Sequence, residues 1–168
     1  QDEQDQGFAL ISALDAAQRQ KAIVETSKTG NNNLTEAFKD NTVIPYAGLR
    51  ASEMNPAQQR RLRDLIALYV SNMDEGHARV KMQDVERHLG ETRFAWVGGT
   101  EPTSAFYYRI HSPVILIGFG HQRTANLRHL TANPELPQRQ HIHVVVRTPN
   151  GNDYGKDLLR QHLASRTH

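Results

Sequence analysis

The spacing of apolar residues changes at Gly90, and that change restricts the fold more than any other feature. Before it, Phe8, Leu10, Ile11 and Leu14, and then Leu62, Leu65, Ile66, Tyr69, Val70 and Met73, recur at helical intervals. After it come four runs rich in β-branched and aromatic residues: 93–99 (RFAWVGG), 105–111 (AFYYRIH), 114–121 (VILIGFGH) and 140–148 (QHIHVVVRT). Gly98-Gly99 and Ser112-Pro113 punctuate them, as turns punctuate strands. Helices followed by strands predict an α+β fold, with several helices packed on one face of a mainly antiparallel sheet. One domain is expected over 1–168: a helical part about 8–90, a sheet part about 93–148 and a short C-terminal helix about 156–165.

Local signals fill in the helical part. Residues 1–6 are polar and read as a frayed end. Asp15 is placed to cap a second helical segment carrying Ala16, Ile23 and Val24. Residues 28–33 read as a turn and 41–46 as an extended, proline-interrupted segment. Asn55 before Pro56 is a helix start, because the asparagine caps and the proline has no N–H to lose. A further helix over 75–89 carries Val80, Met82, Val85 and Leu89, with Gly90 as its stop. Residues 123–139, with Pro134 and Pro137, read as a loop of functional length.

Charge and composition exclude several classes. Twenty basic and eighteen acidic side chains leave a net charge of +2, too little to drive binding to nucleic acid or an anionic membrane. No apolar run reaches the ~20 residues of a membrane span. Without cysteine there is no disulfide, thiolate site or thiol nucleophile. Gly118-Phe119-Gly120 lacks the third glycine of a phosphate loop, and no G-x-S-x-G elbow occurs. Gln1 in first place points to a processed mature chain or a piece of a longer one, and an extracellular or periplasmic setting is expected. Nine histidines point toward metal or acid–base chemistry.

The histidines that matter are on the last strand. Alternation puts His141, His143, Val145 and Arg147 on one face and Ile142, Val144 and Val146 on the other, the core side. On 105–111 the same alternation groups Tyr107, Arg109 and His111; on 114–121 it groups Ile115, Ile117, Phe119 and His121. Should these strands be neighbours, one polar surface gathers Tyr107, Arg109, His111, His141, His143 and Arg147. His141 and His143 are then candidate metal ligands, with His111 or His121 as a third, and zinc, iron or copper the expected ion. Asp153 is a candidate to fix an imidazole tautomer. The competing reading has His141 and His143 half-exposed and bonded to loop backbone. Arg109 and Arg147 either hold an anionic substrate, with Tyr107, or pair structurally with Asp153 or Glu101.

The stretches Phe106–Pro113, Ile115–Gln122 and His141–Gly155 resemble a family catalogued as domain of unknown function 3500. The likeness extends through Leu14–Arg19, Asn41–Gly48 and Asn55–Arg63 to Gln161, and is similar to the carboxy-terminal half of longer members. The family pattern carries acidic residues where this chain has Gly118 and Gly120; there, the resemblance implies, carboxylates would join the histidine pair. It implies no reaction.

Three functional expectations follow. One is a histidine-ligated, metal-dependent enzyme acting on a small anionic substrate, and another is an anion-binding module that uses Arg109 and Arg147 with no metal. The third is a non-enzymatic, secreted binding or self-assembling protein, homo-oligomeric or partnered with a missing amino-terminal half through an uncovered sheet edge or face.

Overall fold

Six strands form one open sheet, and the computed structural model describes residues 1–29, 43–124, 129, 131–149 and 156–166. In chain order the elements are α1 (Asp2–Ser12), α2 (Ala16–Ala22), β1 (Ile23–Glu25), β2 (Leu49–Arg50), α3 (Pro56–Val70) and α4 (Glu75–Arg87), then β3 (Arg93–Gly98), β4 (Phe106–His111), β5 (Leu116–Gln122), β6 (Gln138–Arg147) and α5 (Lys156–Ala164). Strands β3 to β6 are an antiparallel meander; β1 runs parallel and β2 antiparallel to the outer edge of β3. This is the α+β architecture expected: mixed helices and sheet, mostly antiparallel, with a short C-terminal helix.

Capping explains where two helices begin. Asp15 and Asn55 each accept from the backbone three residues on, while Gln18 and Gln58 reach back to the cap residue's own N–H. The two glutamines also bond each other, and Gln58 donates to the carbonyl of Ala13, so α1, α2 and α3 are fastened at one corner. From α3, Leu62, Leu65, Ile66, Tyr69 and Val70 turn inward. They meet Phe94, Trp96, Phe106, Tyr108, Ile110, Ile117 and Phe119 from the sheet, with Leu10, Ile11 and Leu14 of α1 and Val85 of α4. The aromatic rings overlap across strands: Trp96 on Phe106 at 4.3 Å and Tyr108 on Phe119 at 5.0 Å.

Several expectations need correction. The amino-terminal residues are helical from Asp2, because Gln4 is buried against His121 and the Tyr108 hydroxyl donates to the carbonyl of Glu3. Ile23 and Val24 are strand, since pairing of Ile23 with Trp96 and of Glu25 with Val97 overrides helical spacing. Met73 lies beyond α3, and Val80 on α4 is exposed. Gly90 sits inside a 3-10 turn, Leu89–Glu91, while His88 closes α4 with φ −107°. The loop after β5 ends at Pro137, two residues early, because β6 begins at Gln138. Most informative, Val144 and Val146 are 40% and 42% exposed, although their neighbours on β5, Phe119 and Ile117, are fully buried. The helices cover β3 to β5 and leave that side of β6 half open.

Candidate functional site

Register decides which side chains share the face turned away from the helices. Strand neighbours fall into three rows: Tyr107, Gly120 and His143; Arg109, Gly118 and Val145; His111, Leu116 and Arg147. Alternation alone predicted this grouping, and the pairing brings Tyr107, Arg109, His111, His143 and Arg147 onto one face. The two glycines of β5 contribute no side chain to it. A bare strip therefore separates the long side chains of β4 from those of β6, whose backbones are about 10 Å apart.

On β4, Arg109 is 1% exposed. Its Nη2 donates to the carbonyl of Pro45 at 3.1 Å, whereas Nε and Nη1 have no acceptor among the described residues. Burial pulls its pKa below the ordinary guanidinium value, and it remains a cation. The neighbouring His111 imidazole is pushed down to about 4, by burial first and the Arg109 charge second, so it is neutral at pH 7. Its Nδ1 is also buried and without a partner among the described residues. Tyr46 stacks on the His111 ring at 4.2 Å. The irregular segment 43–47 thus lies over both groups as a strap, held by the Pro45 hydrogen bond, the Tyr46–His111 stacking and the Arg93 guanidinium over the Tyr46 ring. Gly48, at φ +91°, lets the strap turn into β2; a Cβ there would come 2.2 Å from the carbonyl oxygen of Phe94.

On β6 the imidazoles converge. Nε2 of His141 and Nε2 of His143 are 3.0 Å apart, with the rings nearly perpendicular. Nδ1 of His141 lies 2.7 Å from the carbonyl of Arg123. A carbonyl only accepts, so His141 carries its proton on Nδ1 and turns the lone pair of Nε2 toward His143. This contact with loop backbone is what the non-metal reading of the pair anticipated; it is also how ligating histidines are oriented. His143 is exposed and His141 partly buried; burial first, then His141, holds the His143 pKa below its ordinary value.

His121 is a correction to the expected ligand set. It belongs to the helix-facing side of β5, level with Ile117 and Phe119, and is completely buried. Phe106 N–H donates to its Nδ1 at 2.8 Å, and its Nε2–H donates to Gln4 at 2.8 Å. Both nitrogens are committed, Nδ1 to β4 and Nε2 to α1, on the face opposite His143. Among the described residues no three His, Asp or Glu side chains gather where they could share an ion. Asp153 lies outside the described residues. No residue pattern announces the Pro45 and Arg123 carbonyls, since backbone acceptors have no signature, or Tyr46 as a ring partner.

No helix among the described residues is long and apolar enough to cross a membrane. Neither a curated protein nor a solved structure matches the chain. A family model matches residues 1–156, helices and sheet alike, and lends no support to a narrower likeness to a carboxy-terminal half. Matched over most of its length, the chain belongs to the family described as "Protein of unknown function (DUF3500)".

Proposed function

We propose that the protein binds a small organic anion and that Arg109 recognises it. What supports this is the buried guanidinium with donors to spare. Taking a charge out of water costs several kcal/mol unless it is paired, and Pro45 offers only one neutral carbonyl. A carboxylate or phosphate would supply charge-assisted hydrogen bonds of about 1.5–3 kcal/mol each. Neutral His111 adds hydrogen-bonding capacity without a second positive charge, and Tyr107 and Arg147 flank the same rows of the face.

Thermal unfolding of the wild type and Arg109→Met tests it. Wild-type Tm should rise with added carboxylates or phosphate, the unfolding free energy gaining about 3 kcal/mol when the anion stands roughly a hundredfold above its Kd. Arg109→Met should lose that response yet, without anion, be no less stable than the wild type, because an uncompensated buried charge has gone. A wild-type Tm indifferent to the anion panel would sink the proposal.

A second reading, self-association, draws on the same strand. Among the described residues β6 is a ten-residue edge, and Val144 and Val146 are half exposed beside a closed core. Sedimentation at about 50 μM should show a dimer or larger species that Val144→Lys dissociates; a wild-type monomer at that concentration rules it out.

A further inference from the structure

We infer that His141 and His143 form a two-imidazole chelate for a divalent transition metal of tetragonal preference, Cu(II) first. It is a site distinct from the Arg109 anion site and does not depend on it. The case rests on three observations. The two Nε2 atoms already stand 3.0 Å apart. With metal–nitrogen distances of about 2.0 Å, that separation subtends about 97° at the ion, nearer the ~90° between adjacent positions of a square-planar or octahedral shell than the ~109° of a tetrahedral one.

The orientation is already set as well. Because Nδ1 of His141 donates to the Arg123 carbonyl, the ring cannot turn or change tautomer without losing a 2.7 Å hydrogen bond. The lone pair is thereby aimed at the shared point, as an outer hydrogen bond aims a ligating histidine. His143 needs only to carry its proton on Nδ1 to present a second lone pair to the same point. Both residues come from one strand at i and i+2, so the strand itself fixes the bite of the pair and little side-chain freedom remains to be lost.

The third observation concerns what surrounds the pair. His143 is exposed and His141 only partly buried, so the remaining positions of the shell stay open to water or to a bound anion. No third His, Asp or Glu side chain gathers there among the described residues. Such a site favours the metal that two nitrogens and water satisfy best, and along the first row that is copper. With no cysteine in the chain, thiolate competition is absent.

Titration of the full chain with Cu(II), followed by calorimetry and by electron paramagnetic resonance, decides the matter. The expected result is one tight site per chain with an axial spectrum and coupling to two imidazole nitrogens. His141→Ala and His143→Ala should each weaken it about a hundredfold, while His77→Ala on the exposed start of α4 leaves it unchanged. Both variants lie on or near the surface, and circular dichroism checks that they fold. Tight copper binding that survives in the His141→Ala/His143→Ala double variant overturns the inference, as does a wild type with no tight site. Arg109→Met should bind copper normally, so failure here and failure of the anion proposal are told apart.

Discussion

Lowering the pH from 7 to 4 should remove about 6 kcal/mol of stability, enough to unfold a protein of ordinary stability. The cause is a pair of buried histidines on opposite faces of the sheet. His111 and His121 are 2% and 0% exposed, and each is pushed down from 6.5 to about 4, mainly by burial. For His121 the charges of Arg139 and Lys28 push the same way. The unfolded chain therefore takes up two protons between pH 6.5 and 4 that the folded protein refuses. Stability is complete above pH 6.5 and falls as the pH drops toward 4, by about 3 kcal/mol for each histidine. Protonated His121 could no longer accept from Phe106 N–H, so its bond to β4 would be lost while its donation to Gln4 of α1 persists. Urea unfolding measured at intervals from pH 7.5 to 4 reads the slope directly. His121→Leu should be less stable at pH 7 and lose about half the slope. A free energy that stays flat down to pH 4.5 would contradict the assignment.

Replacing Gly7 by alanine should destabilise the protein by about 2–4 kcal/mol, against the sign that helix propensity predicts. Gly7 lies in the interior of α1, where alanine would ordinarily gain about 1 kcal/mol. Its Cα, however, sits on the Tyr108 ring: an added methyl would stand 2.3 Å from Cε1 and 2.8 Å from Cδ1. The ring has nowhere to go. It lies flat on Phe119, its hydroxyl donates to Glu3 and accepts from Tyr69, and Phe94 and Trp96 close the other sides. The helix must lift instead, and with it Leu10, Ile11 and the bond from His121 to Gln4. Denaturant midpoints of Gly7→Ala and of Gly76→Ala, a helix glycine whose added methyl would touch only the Asp74 carboxylate, separate crowding from propensity. If Gly7→Ala proves as stable as the wild type, α1 does not rest on Tyr108 as described.

These two positions also mark where reading from residues reached its limit. Asp15, Asn55 and Pro56 announced their helices because caps act over three residues, and period-two alternation sorted Tyr107, Arg109 and His111 from Phe106, Tyr108 and Ile110 correctly. Register then extended the polar face to His143 and Arg147. The failures share one cause: a partner far along the chain. Gln4 looked solvated until His121 was placed beside it, and Ile23 looked helical until Trp96 lay alongside. His121 was legible from parity, since it alternates with Ile117 and Phe119, and only its attraction as a third ligand argued otherwise. Val144 and Val146 have the pattern of a core face, but how far the helices reach across a sheet is set by packing, which no local pattern contains.

The bond between Gln4 and His121 joins residues 117 apart, and its cost appears in time. During synthesis at about 5–20 residues per second, the amino-terminal helix waits many seconds before the strand that receives it exists. Short of roughly a dozen residues it is marginal by itself. The protein is therefore expected to fold late and slowly, with the meander forming before α1 is captured.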